Sequence, residues 1–314
     1  MKFDTIKLSE LAAIQTGPFG SQLHKEDYVV HGTPIVTVEH LGSRKFTEQN
    51  LPCVSDKDKE RLKKYVLKTG DIVFSRVGSV DRCSYVSAEY EGWMFSGRCL
   101  RVRPCEKLNP EYLYYFFLLE KTKQFVRNIA TGATMPSINT KFMGEIPIRV
   151  PSLDAQNKIA SILWMIDDKI ELNKKINKNL EQQAQAIYSR MFIEHRQESW
   201  STGQLSDLIS VKYGKDHKKL ADGNYPVYGS GGIMRYVEKP LYTGESVLIP
   251  RKGTLNNIMY VNEAFWSVDT MFYTEMLRPN IAKFVYHFVK SKDLVSLNAG
   301  SAVPSMTTNI LNAM

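Results

Sequence analysis

The chain has 314 residues, 43% of them hydrophobic and 24% charged, with a formal net charge of +8. This length favours two domains over one, and the positive charge points mildly towards a polyanionic partner. The longest apolar run, residues 112–119, is far shorter than the ~20 residues that span a bilayer, and residues 1–10 lack the apolar core of a signal peptide. We therefore expect a cytoplasmic protein with no membrane partner.

The four cysteines lie in the first third of the chain, at Cys53, Cys83, Cys99 and Cys105. No pair has CxxC spacing and no histidine follows at the distance of a zinc finger, so we expect free thiols in a reducing compartment. The six histidines are scattered, without HExxH or triad-like context. We predict no metal site.

The sequence contains an internal repeat, because four segments of the first half return in the same order in the second. The pairs are KLSELAAIQTG (7–17) with QLSDLISVKYG (204–214), GTPIVTVEHLG (32–42) with NYPVYGSGGI (224–233), LKTGDIVFSRVGS (67–79) with LYTGESVLIPRKGT (241–254), and ATGATMPSINTKFM (130–143) with NAGSAVPSMTTNIL (298–311). The offset between the pairs shrinks along the chain, as for two copies whose loops have diverged in length.

Each copy has the pattern of a mixed α and β domain. A short amphipathic helix at its start is followed by short apolar strands that Gly, Asn and Asp separate. A second helix follows the strands, at residues 109–129 in the first copy and 278–297 in the second. The residues of the opening helices are Leu8, Leu11 and Ile14, and Leu205 and Leu208.

A long helix is predicted between the copies, over residues 151–197. No Gly or Pro occurs within it for over 40 residues after Pro151, which at ~1.5 Å per residue gives roughly 60 Å. Its apolar residues are spaced by alternating threes and fours, as in a coiled coil, and need a partner helix. The predicted interface residues are Ile159, Ile162, Ile166, Ile170, Ile176, Leu180 and Ile187.

These elements predict an α+β protein: two repeated mixed α/β domains, residues 1–150 and 198–314, joined by a coiled-coil-type helix, residues 151–197.

Two stretches could carry chemistry. TGPFGSQL (16–23) is glycine-rich, but no lysine follows its second glycine and it succeeds a helical pattern, so it does not match a nucleotide-binding P-loop. NPEY (109–112) resembles a tetrapeptide of adenine methyltransferases, yet it opens a helix, and a helix cap explains it better. Nothing in the chain supports catalysis, and we predict no catalytic residue.

Basic and amide side chains near the repeated glycines suit DNA recognition instead. Arginine and lysine bind phosphate or guanine, and asparagine pairs with adenine. Any one of them is more simply a solvated surface residue, but their matching places in a repeated module favour the functional interpretation. The candidates are Arg44, Lys45, Arg76, Arg82, Asn139 and Lys141 in the first copy, and Lys215, Lys218, Lys219, Arg235, Arg251, Lys252, Asn256 and Asn257 in the second.

The order of these segments resembles the specificity subunit of type I restriction–modification systems. The resemblance rests on KLSELAAIQTGPFGSQL, YPVYGSGG, the TGDIVFSRVGS and TGESVLIPRKG pair, and IPIRVPSLDAQNKIASIL before the long helix. It covers essentially the whole chain.

The resemblance implies two target recognition domains, each reading half of a bipartite double-stranded DNA sequence. It implies two long antiparallel helices as a spacer, to which modification subunits bind. It also implies that catalysis and the cofactors S-adenosylmethionine, ATP and Mg²⁺ belong to the modification and restriction subunits, not to this chain.

The sequence departs from this pattern at its end, where TTNILNAM (307–314) aligns with NTKFMGEI (139–146) and no second long helix follows. Three alternatives remain open: another polypeptide supplies the helix, two chains pair through residues 152–196, or the product is a truncated, inactive subunit that acts only in assembly.

Overall fold

The computed structural model describes residues 4–132, 134–298 and 304–314. The chain divides into two compact units, unit 1 (Met1–Lys174) and unit 2 (Lys175–Met314). Each is a mixed α/β unit with its own apolar core, which confirms the predicted fold class. The division lies inside the long helix, and the predicted domain boundaries stay a prediction.

Among the described residues, unit 1 forms three sheets. Its strands are β1 (Asp4–Lys7), β2 (Ala12–Thr16), β3 (Tyr28–Val29), β4 (Thr33–Val36), β5 (Cys53–Val54), β6 (Ile72–Ser75), β7 (Cys83–Tyr85), β8 (Met94–Phe95), β9 (Cys99–Pro104) and β10 (Pro147–Val150). Its helices are α1 (Leu8–Leu11), α2 (Asp56–Arg61), α3 (Pro110–Leu118), α4 (Glu120–Ile129), α5 (Thr140–Gly144) and the first part of α6 (Leu153–Ser189). The strand orders are β2-β9-β6-β7, β3-β5-β4-β8 and β1-β10.

Unit 2 contains one six-stranded sheet with the order β11-β16-β14-β15-β12-β13. Its strands are β11 (Ile209–Tyr213), β12 (Asp222–Gly229), β13 (Gly232–Val237), β14 (Tyr242–Pro250), β15 (Met259–Ser267) and β16 (Met271–Met276). Its helices are the last part of α6, α7 (Ala282–Lys290) and α8 (Thr308–Asn312).

The strand pairings confirm the repeat. In unit 1, β9 lies between β2 and β6, and β4 pairs with β8 in parallel; in unit 2, β16 lies between β11 and β14, and β12 pairs with β15 in parallel. The equivalent strands β6 and β14 each contribute side chains to two cores, because successive side chains along a strand point to opposite faces. In β14, Val247 and Ile249 lie in one core and Leu248 in the other.

The helices of the repeat are shorter than predicted. The segment 109–129 is broken at Leu119, whose backbone is extended (φ −60°, ψ 130°). The segment 278–297 forms a helix only from Ala282 to Lys290, because Asn280 has a left-handed backbone (φ +59°) that no helix accepts. Ile14 belongs to β2 and not to the opening helix.

Helix α6 forms where it was predicted, from Leu153 to Ser189, and a π-helical turn (Arg190–Glu194) follows it.

Candidate nucleic-acid interface

The four residues after β6 form a turn that we call the first arginine turn (residues 76–79). The Arg76 backbone N–H donates to the carbonyl of Arg98 (2.8 Å). The Arg76 guanidinium donates through Nη1 to the carbonyl of Gly97 (3.1 Å) and lies 5.3 Å from the ring centroid of Phe19. One arginine thus joins the end of β6, the turn before β9 and the TGPFGSQL loop.

The four residues after β14 repeat this geometry, and we call them the second arginine turn (residues 251–254). The Arg251 backbone N–H donates to the carbonyl of Thr270 (2.9 Å). Its guanidinium donates through Nη1 to the carbonyl of Asp269 (3.2 Å) and lies 5.2 Å from the ring centroid of Tyr213. The two arginines are therefore equivalent in position and in their backbone contacts, although Phe19 follows the equivalent glycine and Tyr213 precedes it.

Each arginine turn is closed by the repeated Pro-Ser segment. Gly78 (φ +73°) donates to the carbonyl of Pro136 (2.8 Å), and Gly253 (φ +89°) donates to that of Pro304 (3.2 Å). The positive φ explains the repeated glycine, because other residues adopt it only with strain. Residues 299–303 of the second segment lie outside the described residues.

The first glycine of TGPFGSQL has a steric role. A Cβ on Gly17 would overlap the carbonyl oxygen of Ser96, and a Cβ on the equivalent Gly214 would overlap that of Val268. Gly20, by contrast, has open space around it. The motif is therefore a close approach of two backbones followed by an exposed loop.

An open cleft of about 560 Å³ lies beside the first arginine turn. The exposed rings of Phe19 and Tyr28 stand at this cleft, together with the exposed side chains of Glu39 and Arg98. Its remaining lining residues are Pro18, Gly20, Thr37, Val38, Ser96 and Gly97.

The second arginine turn has a β-hairpin beside it in place of that loop. The hairpin β12–β13 is held next to the residues that follow the turn, because the side-chain amide of Asn257 donates to the carbonyl of Ser230 (2.6 Å). Ile233 and Met234 are exposed on this hairpin. Lys215 follows Gly214 directly, and its carbonyl accepts a hydrogen bond from the Trp266 indole (2.8 Å).

The predicted basic residues fall into two groups. Five lysines have exposed side chains that make no hydrogen bond or ion pair with the described residues, namely Lys141, Lys215, Lys218, Lys219 and Lys252. Seven others are held by contacts inside their own unit. Their partners are Asp168 for Arg44, Glu89 for Lys45, the Leu41 carbonyl for Arg82, the Phe142 N–H for Asn139, Asp222 for Arg235, the Leu294 N–H for Asn256 and the Ser230 carbonyl for Asn257. Together with Arg76 and Arg251, the five lysines are the candidates that can still reach a ligand.

Arg44 fastens the start of α6 within unit 1. Its guanidinium lies 4.5 Å from the ring centroid of Trp164 and donates to Asp168 (2.5 Å), and only 13% of its side chain is exposed. Burial lowers the pKa of Arg44, but the hydrogen bond to Asp168 and the charge of that carboxylate outweigh this and raise it. Sequence reasoning missed this role, because Arg44 and its partners are far apart in the chain.

A buried amide makes a second attachment of α6 in unit 1. Gln156 is 1% exposed. It accepts from the Asn109 backbone N–H (2.8 Å) and donates to the Pro151 carbonyl (3.0 Å). Asn109 in turn caps α3 by accepting from the Tyr112 N–H (2.8 Å), which confirms the interpretation of NPEY as a helix cap.

The last part of α6 is attached to α7 within unit 2. Glu181 accepts from the Tyr286 hydroxyl (2.5 Å) and from Lys290. Oε1 of Gln185 lies 2.8 Å from Nδ1 of His287. The hydrogen bond from Lys290 lowers the pKa of Glu181.

Most of the predicted apolar stripe of α6 is exposed. Ile159 instead packs against the core of unit 1. The exposed members are Ile162, Ile166, Ile170, Ile176, Leu180 and Ile187.

All four cysteines are free, and burial raises the pKa of the Cys83 and Cys99 thiols to about 12. The described residues contain no group of three or more metal-ligating side chains placed to hold an ion. Across the same residues, no helix has both the length and the apolar character needed to cross a membrane.

Two copies of one mixed α/β unit, each with an arginine turn, define a protein built from a repeated module. The family described as "Type I restriction modification DNA specificity domain" matches residues 1–182 and 197–314, and the chain belongs to this family.

Curated relatives match part of the chain. It is 29% identical over 160 residues to the "Type I restriction enzyme HindI specificity subunit" of Haemophilus influenzae, covering 50% of this chain and 35% of that protein. It is 33% identical over 175 residues to the "Putative type I restriction enzyme MjaX specificity subunit" of Methanocaldococcus jannaschii, covering 52% and 41%. These matches span less than half of either relative.

The solved S subunit of a type I restriction–modification system from M. genitalium has a similar fold. The TM-score is 0.64 at 17% identity, over 100% of this chain and 84% of that one.

Proposed function

We propose that this chain recognises double-stranded DNA by sequence, each unit reading one half of a bipartite target within a type I restriction–modification complex. The observation that carries this proposal is the match of a DNA specificity domain to both units. The arginine turns and the lysines beside them support it, because guanidinium and ammonium groups on exposed turns bind phosphate and base edges.

The chain itself is non-catalytic in this proposal. Modification subunits dock on α6 and use S-adenosylmethionine, and the restriction subunit joins them with ATP and Mg²⁺. The names of the relatives, which are specificity subunits of restriction enzymes, support this division of labour. We place the complex in the cytoplasm, where its DNA substrate lies.

A second helix covers the exposed stripe of α6 in this proposal. Its supplier is a second specificity chain or a fragment of one. An apolar row spaced by threes and fours favours another helix over water.

The test is selection of bound duplexes from a randomised pool by the chain together with its modification subunits. We expect enrichment of a two-part motif, and the modification subunits alone should enrich none. A pool that the chain leaves unenriched contradicts sequence recognition.

The exposed stripe favours one alternative, a helix-pairing assembly protein that reads no DNA. Light scattering after size-exclusion chromatography separates the two. If α6 pairs, replacing Ile166 and Ile170 with Ser dissociates a two-chain or fragment complex, whereas the same change at the exposed Leu277, outside α6, does not. Dissociation together with an unenriched duplex pool identifies the assembly protein.

A further inference from the structure

The two arginine turns have the same backbone contacts in both units of the proposed DNA-binding protein. Each guanidinium makes one hydrogen bond through Nη1, to Gly97 or to Asp269, and lies over one aromatic ring. A contact that both units make in the same way cannot distinguish one half-site from the other.

The same geometry suits a phosphate. Within the described residues, Nη2 of Arg76 and Nη2 of Arg251 make no hydrogen bond. The bond through Nη1 and the stacked ring fix each guanidinium, which leaves Nη2 to bind a ligand, whereas Nε of Arg76 is buried. A planar fork held in this way matches phosphate oxygens, which recur identically along any DNA sequence.

The segments beside the two turns differ. In unit 1 the loop 18–30 contacts Arg76 through Phe19 and also carries Tyr28, which is 37% exposed and stands at the cleft. In unit 2 the hairpin β12–β13 carries Met234, which is 61% exposed. Each segment lies near its own arginine turn, and the two segments differ in sequence and in structure.

Exposed apolar side chains of this kind carry sequence information when DNA is the partner. They contact the thymine methyl group in the major groove or enter between base steps in the minor groove. The arginine turns and exposed lysines supply the positive charge that brings DNA to these surfaces, and this selects DNA over an apolar protein as the occupant.

We infer that the arginine turns hold the DNA backbone irrespective of sequence, and that the unshared neighbours, loop 18–30 in unit 1 and the β12–β13 hairpin in unit 2, set the sequence preference of their half-sites. This inference rests on the proposed DNA recognition.

The experiment repeats the duplex selection with variants of the full chain and its modification subunits, and adds the salt dependence of binding. Arg76→Ala and Arg251→Ala should each weaken binding to the selected duplex and to a scrambled duplex by the same factor, about tenfold, with an unchanged motif. Each should reduce the slope of log affinity against log salt by about 0.9, the value for one phosphate contact.

The loop variants should behave in the opposite way. Tyr28→Ala should change the enriched bases in one half of the motif, and Met234→Ala those in the other half, both with an unchanged salt slope. Leu277→Ala is the control. It removes an exposed apolar side chain that follows Met276, the last residue of β16, and should change neither the motif nor the salt slope.

An arginine variant that alters the motif overturns the inference, and so do loop variants that weaken all duplexes equally with the motif intact. If an alanine variant does not fold, Arg76→Lys and Arg251→Lys, which keep the positive charge, replace it in the experiment. The inference requires that these lysine variants select the wild-type motif. A wild-type chain that enriches no motif overturns the proposed function itself.

Discussion

The two units hold the same helix in different ways, although their sheets are copies. Unit 1 uses groups withdrawn from water, the buried amide of Gln156 and the stacked guanidinium of Arg44. Unit 2 uses Glu181, Lys290 and His287, which water reaches in part. The contacts that define the sheet core are repeated, and those that attach the helix are not. We therefore expect the unit 1 attachment to be strong and insensitive to salt, and the unit 2 attachment to be weaker and sensitive to salt and pH.

The largest effect should come from the glycines that the two units share. Gly17→Ala and Gly214→Ala each place a Cβ against a backbone carbonyl that cannot move aside, and each should lower the free energy of unfolding by about 3 kcal/mol. Differential scanning calorimetry of the full chain measures this. Gly20→Ala is the control and should leave the unfolding temperature unchanged, since nothing lies near its Cβ. Equal unfolding temperatures for all three variants would contradict the close backbone contact that we assign to Gly17 and Gly214.

The buried amide should come next. Gln156→Leu leaves the Asn109 N–H without its partner, and should cost about 2 kcal/mol of unit 1 stability. Gln185→Leu, on the other part of α6, should cost less than about 1 kcal/mol, because water can replace its bond to His287. Hydrogen exchange of α3 and α7 reports the two units separately. A larger cost for Gln185→Leu would reverse the comparison.

The charged contacts that attach α6 to each unit should make smaller contributions to stability. Arg44→Met removes a cation–π contact and an ion pair, and we expect a loss of about 1–2 kcal/mol. Lys290→Met removes an ion pair that water reaches, with a loss of at most about 1 kcal/mol. Urea unfolding at low and high salt checks both values. Added salt should shrink the Lys290 effect more than the Arg44 effect, because Asp168 is 57% exposed but the contact of Arg44 with Trp164 does not depend on that carboxylate; the opposite pattern would count against the stacked attachment in unit 1.

The smallest effect should be a pH dependence confined to unit 2. Burial lowers the pKa of His287 below its ordinary value of 6.5, and the charge of Lys290 lowers it further. The unfolded chain therefore binds more protons, so this contribution to stability is complete above pH 6.5 and falls as the pH falls through the lowered folded pKa. Glu181, whose ordinary pKa is 4.5, acts at lower pH. The hydrogen-exchange protection factors of α7, corrected for the intrinsic pH dependence of exchange, should fall as the pH is lowered from about 7 to about 5, and His287→Gln should remove that change. Unchanged hydrogen-exchange protection of wild-type α7 across this pH range would contradict the prediction.

The repeat and the helix were predictable from sequence because both leave periodic or positional signals. Gly78 and Gly253 recur because a closed turn requires positive φ, and the spacing of Ile162, Ile166 and Ile170 follows one face of a helix. Arg76 and Arg251 were found through the same glycine turns.

The attachments of α6 and the state of most basic residues were not predictable. Arg44 reaches Asp168 across 124 positions of sequence, and a single sequence carries no record of such a contact. From the sequence, Arg82 and Arg235 have the pattern of surface residues. The fold shows that Arg82 binds a backbone carbonyl and Arg235 binds a carboxylate. Local pattern identifies which residues can bind DNA, and only the fold reveals which of them are already engaged.

The central claim is that this chain directs modification to a particular sequence. Its most direct test is the methylation map of DNA from cells that carry the modification subunits, with and without this chain. We predict a two-part motif that is methylated only when the chain is present. An identical methylation map in both strains would contradict the account.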